Sequence, residues 1–434
     1  MSLTLIGIIG IIALLVIIFF MRIPVGFAMA MVGFGGFAWI VNPQAALGML
    51  GDEVWEVFSS YGLTVIPMFI LMGQISFHAG VNQRLYKAAY LWMGRVRGGM
   101  AMATVLSCAG FAAICGSNTA TAATMGTVAL PEMKKYRYNP VLSASSVATG
   151  ATLGVLIPPS VVLIVIGLQT GQAIGVLFWA ALVPGFLLCL FFIAAIYLAC
   201  RRHPDYGPPG HRTSMREKIY SLRGAVEILI LFFLVMTGLI KGFFTPTQAG
   251  AVGAFLALII GVAGRNLSFR GFMLALTDTL RISAMIMVII LGAVIFGRFL
   301  AVTRLPFDLA SMVSDLALPS FMVIVFIGFI YILGGAIMDA LALLIITIPI
   351  FFPVASSMGY DPVWFSVFIT VVTTLGAITP PVGINTYIVA SMGHGVTLAN
   401  VFKGVMLFIP CFIILLALLV AFPGIATWLP GVFR

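Results

Sequence analysis

Runs of about 20 apolar residues follow one another along this chain, and no other feature limits its fold so strongly. A helix needs about 20 such residues to cross the hydrocarbon of a bilayer. Residues 2–20 form one run, residues 405–422 another, and the length rule predicts roughly ten to twelve crossings in all. Barrel strands would alternate apolar and polar residues, and stretches such as 5–15 are apolar throughout. Of 434 residues, 62% are hydrophobic and 8% charged, a balance that would leave a water-soluble domain with very large exposed apolar patches. The expected fold is therefore an all-α polytopic membrane protein with the lipid bilayer as its solvent. Residues 1–21 lack a basic leader and an Ala-x-Ala cleavage site, so they are expected to stay as a first helix.

A formal net charge of +10 raises the question of nucleic acid, but the Lys and Arg residues sit in short loops between apolar runs. That distribution fits positive-inside anchoring and no nucleic-acid partner. Residues 201–223 hold Arg201, Arg202, Arg212, Arg216, Lys218 and Arg223 against Asp205 and Glu217, with Pro204, Pro208 and Pro209 interrupting helix. This loop is expected to be cytoplasmic. Cys108, Cys115, Cys189, Cys200 and Cys411 are odd in number and lie in or at the ends of apolar runs, which implies neither disulfides nor a metal site.

The chain repeats itself. Leu153, Gly154, Pro158, Pro159 and Gly171 recur as Leu375, Gly376, Pro380, Pro381 and Gly393, each 222 positions on, and Pro131 and Pro353 share that offset. A two-residue slip places Gly73 against Gly297. The basic loop falls between the copies, dividing the chain into a first half of 1–200, a connecting loop of 201–223 and a second half of 224–434. Internal repeats whose apolar segments are interrupted by Gly and Pro are a common plan of secondary transporters, with the site where the interruptions meet near midplane. Spacing alone does not say whether the halves are inverted.

Two regions in each half stand out. The first half has the small polar cluster 116–124, containing Ser117, Asn118, Thr119, Thr121 and Thr124, and the segment 150–160 with its Pro pair and Ser160. The second has Gly334, Gly335 and Asp339, then Thr373, Thr374, Gly376, Thr379, the Pro pair, Gly383, Asn385 and Thr386. A Pro pair at membrane depth blocks the helical ladder and leaves carbonyls that must find partners. Carbonyl and hydroxyl oxygens without thiolate or imidazole suit a hard cation such as sodium. Small residues and hydroxyls also simply let membrane helices approach closely. Asp339 sits in an apolar or hydroxylic stretch opposite Ser117 at the shared offset. An intramembrane acid marks a functional position, though an Asp at a helix start also caps exposed N–H groups. Arg298 and Arg304 are open to two readings, anion ligands or anchors at an interface. Glu227 is placed at the start of a helix leaving the basic loop. His78 and His394 have no acid or cysteine partner in the sequence pattern and receive no role.

At residues 116–122 and 376–385 the sequence resembles the large membrane subunit of tripartite ATP-independent periplasmic (TRAP) transporters, and the similarity runs over essentially the whole chain. The resemblance implies a bacterial inner-membrane protein with an elevator-type fold, in which a transport domain carrying two re-entrant helical hairpins moves against a scaffold domain. It implies sodium-coupled symport of an organic acid, with Na+ the one metal required. Asn118, Thr374, Thr379, Gly383 and Asn385 then match sodium-holding positions, and Gly154 and Gly335 positions that lend carbonyls. Ser117, Ser160 and Asp339 would line the substrate cavity. The implied partners are a small four-helix TRAP membrane subunit and a periplasmic substrate-binding protein. Sialic acid (N-acetylneuraminate) is the first expectation for the substrate, because Asp339 can accept bonds from its hydroxyls and amide; a C4-dicarboxylate is the alternative. A stand-alone carrier needing no binding protein, a passive channel and an intramembrane enzyme are competing classes. The last lacks a paired acid, a Gly-x-Ser-x-Gly elbow and a His-Glu-x-x-His helix, so no enzymatic activity is expected.

Overall fold

The computed structural model describes residues 2–21, 23–210, 214–315, 319–393 and 396–432. Every regular element among them is helical. Among the described residues seven helices are long and apolar enough to cross a membrane, and an eighth span forms if Leu398–Val405 and Ile409–Ala421, bent by 43° at their junction, are joined. The roughly ten to twelve crossings expected from run length exceed this count because several runs fold into apolar helices short of the full length, such as Gly99–Cys115 and Pro362–Gly376. Two of the seven, Ser320–Ile337 and Ala340–Ser357, are the arms of one hairpin, which length alone cannot distinguish from separate spans.

The first hairpin shows this directly. Gly99–Cys115 and Asn118–Lys135 are its arms, joined at Gly116 and Ser117. Its two feet are stitched to the basic linker: Gly98 N donates to Gly207 O (2.9 Å), Gly210 N to Gly94 O (2.8 Å) and the Tyr138 hydroxyl to Pro208 O (2.9 Å). Both arms thus begin and end at the same surface, with the tip at Gly116 and Ser117 inside the body. The next segment starts there too, with Asn139 N donating to Tyr206 O at 3.1 Å. It rises as Pro140–Gly150, breaks, and continues as Val161–Thr170; Ile174–Arg202 returns to the linker.

From the linker, Arg223–Ile240, Pro246–Ala263, Phe269–Thr303 and the short Leu305–Asp315 lead to the second hairpin, Ser320–Ile337 with Ala340–Ser357, which an inverted repeat would open on the opposite surface. Its broken partner is Pro362–Gly376 followed by Ile384–Ser391. Packing agrees with the inversion. Ile384–Ser391 lies against Pro140–Gly150, at the linker side of the first break, and Ala340–Ser357 lies against Val161–Thr170 beyond it. The halves that share an offset of 222 are therefore inverted, a relation that residue spacing does not carry.

Flanking the hairpins is a second body. Val25–Ile40 and Tyr61–His78 pack along Phe269–Thr303, and Tyr61–His78 also along Pro246–Ala263. Without water to drive apolar surfaces together, such contacts rely on close backbone approach through small residues. A Cβ at Gly33 would stand 2.7 Å from Phe296 Cα, and one at Gly292 would run into the Gly26 carbonyl. Two polar contacts join distant parts of this body. Arg298 Nε donates to Glu53 Oε1, whose carboxylate is buried, so a protein carboxylate pairs with Arg298 away from the central cavity. His78 Nε2 lies 3.1 Å from Asp278 Oδ2, which corrects the expectation that His78 has no acidic partner; the two are 200 positions apart. Arg304 is exposed at the end of Phe269–Thr303. Glu227 does lie in the first turns of Arg223–Ile240. Arg212 and His394 lie outside the described residues.

Overpacking at a close helix contact costs about 1–3 kcal/mol. Gly292→Val is expected to lower the melting temperature in detergent, while Gly297→Val in the same helix, where a Cβ meets nothing within 4 Å, serves as the control and leaves it unchanged. Equal melting of the two variants would contradict this packing.

Candidate functional site

The hairpin tips are built by capping residues. Gly116 takes φ +64°, ending the first arm, and Ser117 turns extended so that its Oγ accepts from Ala120 N at 3.4 Å and opens the second arm. Asp339, its counterpart at the 222 offset, does the same work: its Oδ2 accepts from Leu341 N at 3.0 Å at the start of Ala340–Ser357. Ser and Asp are among the best N-caps because a short side-chain oxygen reaches an otherwise unpaired helix N–H. The capping account of Asp339 and the cavity account hold together, since the same carboxylate also faces the central cavity.

The broken helices wrap those tips. Both Pro pairs, Pro158–Pro159 and Pro380–Pro381, are cis. Gly154 lies so close that a Cβ would stand 2.6 Å from Ser117 O, and Val161 N donates to Gly116 O at 3.3 Å. In the second half, a Cβ at Gly335 would meet Thr373 O at 2.6 Å, Gly383 N donates to Ala336 O at 2.8 Å and Asn385 N to Ala377 O at 3.0 Å. Each break is thus held by backbone bonds to its own hairpin, as irregular backbone at membrane depth requires.

Between the hairpins and the flanking body lies a cavity of about 330 Å3. Its polar wall comes from Ser117, Asn118, Thr119, Asp339 and Gln74; its apolar wall includes Ile282, Met285 and Ile286 of Phe269–Thr303. No Lys, Arg or His lines it among the described residues. Instead three helices begin at it, Asn118–Lys135, Val161–Thr170 and Ala340–Ser357. Helix N-termini carry partial positive charge and unpaired N–H groups, which favour a bound anion.

Of the substrate candidates, Ser117 and Asp339 face this cavity and Ser160 does not. Ser160 is fully buried, its Oγ accepting from Leu163 N at 3.4 Å behind the wall formed by Val161 and Val162. Of the sodium candidates, Asn118 and Gly154 belong to the first tip, and Gly335, Thr374, Thr379, Gly383 and Asn385 gather at the second break, off the cavity. The Thr374 hydroxyl donates to Val371 O (2.8 Å) and that of Thr379 to Gly376 O (3.0 Å), which leaves each oxygen able to accept. Asn385 Nδ2 donates to Ala148 O at 3.4 Å across the two halves, and its buried Oδ1 has no hydrogen-bond partner among the described residues. An orphaned buried acceptor amid carbonyls and hydroxyls fits a hard cation. No group of three or more His, Cys, Asp or Glu gathers among the described residues. The residues missed from sequence are Gln74 and the wall of Phe269–Thr303. A lone amide inside the apolar run 61–78 was the available signal for Gln74.

With this geometry in view, comparison with known proteins is informative. Residues 11–425 match the family described as "Tripartite ATP-independent periplasmic transporter, DctM component". The C4-dicarboxylate TRAP transporter large permease protein DctM of Pseudomonas aeruginosa is 33% identical over 383 residues, covering 88% of this chain and 89% of that protein. The sialic acid TRAP transporter large permease protein SiaM of Vibrio cholerae is 29% identical over 416 residues, covering 95% and 96%. Among solved structures, the YdaH transporter of Alcanivorax borkumensis matches with a TM-score of 0.64 over 88% of this chain and 90% of that one, at 13% identity, a likeness of fold alone.

The double duty of Asp339 separates in two variants. Asp339→Asn keeps a capping oxygen and should melt like the parent, whereas Asp339→Ala should lose about 1 kcal/mol. Thermal melting in detergent checks both, and an unstable Asn variant would show that the charge itself holds the fold.

Proposed function

The chain belongs to the DctM family of tripartite ATP-independent periplasmic transporters, and from that premise we propose that it carries a monovalent, hydroxyl-bearing organic anion inward across the bacterial inner membrane, driven by sodium. As a large permease subunit it is a multi-pass membrane transporter and not an enzyme. The observation that carries the substrate class is the cavity where helix N-termini converge on Asp339 without a cationic side chain. The substrate carboxylate sits at the helix starts, and its hydroxyls donate to Asp339 and Gln74. N-acetylneuraminate, with ring hydroxyls, an amide and one carboxylate, has this chemistry. A dicarboxylate would bring two charges beside the Asp339 carboxylate and fewer donors. The 33% identity to the dicarboxylate permease keeps that class as the second reading.

Sodium enters as a co-substrate, held at the first tip by Asn118 and the carbonyls around Gly154 and at the second break by Asn385, Thr379 and neighbouring carbonyls. The unpaired Asn385 Oδ1 supports this. Each net positive charge moved inward across 100 mV gains about 2.3 kcal/mol, roughly a fiftyfold concentration ratio. The hairpins and broken helices form the transport domain, which moves as an elevator against the flanking scaffold. Its path is smoothed by the apolar wall of Ile282, Met285 and Ile286. A small membrane subunit docks on the scaffold, where Trp39 and Trp55 are 82% and 76% exposed, and a periplasmic binding protein delivers the substrate.

Proteoliposomes holding this chain and its small subunit are the test. Uptake of labelled N-acetylneuraminate is expected to need an inward sodium gradient and the binding protein, and Asp339→Asn to cut it by about tenfold or more. Uptake of succinate in its place would shift the reading to dicarboxylates, and uptake without the binding protein to a stand-alone carrier. In detergent, sodium at about 100 times its dissociation constant should stabilise the protein by about 2.7 kcal/mol. Asn385→Ala should weaken that gain, with potassium inert for both proteins; an identical sodium response would remove Asn385 from the ion site.

A further inference from the structure

A second cavity lies away from the transport site, on the outer face of the hairpin body. It has a volume of about 690 Å3 and is bounded by Ile174–Arg202 on one side and the bent pair Leu398–Val405 and Ile409–Ala421 on the other. The 43° bend is what holds it open. Its floor is Pro140–Gly150, against which Gly404 packs so tightly that a Cβ would stand 2.6 Å from Ser145 Oγ. Phe191, Leu198, Leu407 and Ile414 make its walls apolar, and Leu198 and Ile414 are half exposed on the face that meets lipid.

Its rim has a different chemistry. Arg202, His203 and Lys403 edge the groove at the end stitched to the basic linker, the cytoplasmic side by charge distribution. Arg202 and Lys403 are exposed, and neither makes a hydrogen bond or ion pair with any described residue. His203 stacks on Tyr206 at 5.1 Å, which fixes its ring at the rim. No Asp or Glu lines the groove among the described residues; Asp205, in the adjoining turn, is outside it. Two unpaired cations over an apolar slot that opens sideways into the bilayer match an amphiphile with a negative head, since basic pockets between membrane helices on the cytoplasmic side take anionic lipid head groups. A soluble anion would leave the apolar walls wet.

We propose that this groove binds an anionic phospholipid, with its phosphate on Arg202 and Lys403 and one acyl chain between Phe191, Leu198, Leu407 and Ile414. All of these walls belong to the hairpin body. The site is independent of the substrate and sodium assignments.

Native mass spectrometry of the full-length chain in detergent, with added phosphatidylglycerol or phosphatidylcholine of identical chains, tests it. Phosphatidylglycerol is expected to bind at least about tenfold more tightly than phosphatidylcholine. Arg202→Ala with Lys403→Ala should bring the two lipids level, and Ala195→Trp, which fills the groove and keeps both charges, should weaken phosphatidylglycerol by a similar factor. Lys403→Arg retains the preference and guards against misfolding of the double variant. Equal binding of the two lipids by the parent chain would overturn the proposal. So would full retention of phosphatidylglycerol by both the double variant and Ala195→Trp, or displacement of the lipid by equimolar inorganic phosphate, which would show a head-group contact without a chain site.

Discussion

In a bilayer no water is available to pair an exposed backbone N–H or carbonyl, and each one left unpaired costs several kcal/mol. This constraint organises the structure. The chain abandons the helix at two tips and two breaks, and at each place the freed groups are met by a neighbouring segment. Gly116 O receives Val161 N, and Ala336 O receives both Val382 N and Gly383 N. Glycines at 154, 335 and 376 allow the approach, because any side chain there would collide with a backbone carbonyl. The irregular segments can exist only face to face, and bringing them face to face is what creates an oxygen-lined centre in an otherwise apolar body.

The same constraint explains why a carboxylate stands at membrane depth. Asp339 offsets part of its cost by accepting a helix N–H, as Ser117 does in the inverted copy. The two tips are chemically unequal while structurally equivalent. One presents a neutral hydroxyl and the other a charge, and that difference polarises a cavity that the repeat would otherwise make symmetric. The breaks are unequal too. Pro158 and Pro159 are buried, whereas Pro380, Pro381 and Val382 are exposed. Irregular backbone at that depth is tolerated against protein or water but not against lipid, so the two breaks differ in what must cover them.

Much of this was legible in the sequence, for identifiable reasons. Gly and Pro punctuate membrane helices regardless of context, so the breaks and tips could be located from residues 116–124, 150–160, 334–339 and 373–386. Shared spacing pointed to their mutual contact. Sidedness was not legible, because an offset is the same for parallel and inverted copies. Pairings such as Arg298 with Glu53 and His78 with Asp278 join residues 245 and 200 positions apart and follow no local pattern. Ser160 shows the limit of the hydroxyl signal. Its type and place matched a cavity residue, yet its oxygen is consumed by capping Val161–Thr170 and it lies behind the wall. Gln74 shows the converse, an amide in an unremarkable run that reaches the cavity because Tyr61–His78 passes beside the first tip.

If the central cavity takes an anion as proposed, a lining with a carboxylate and, among the described residues, no cationic side chain is poor at holding it alone. Helix N-termini supply only partial charge, about half an elementary charge each. The sequence provides the remainder elsewhere, as oxygens arranged around the tips and unsatisfied at Asn385. On the proposed reading, filling them with cations would add full positive charge around the tips, and the coupling would run both ways: whatever sodium adds to anion affinity, the anion adds to sodium affinity. A guanidinium in the cavity would bind the anion with or without sodium and so uncouple the two. Under the proposed sodium coupling, the absence of Arg and Lys from the described lining would keep anion binding dependent on the ion.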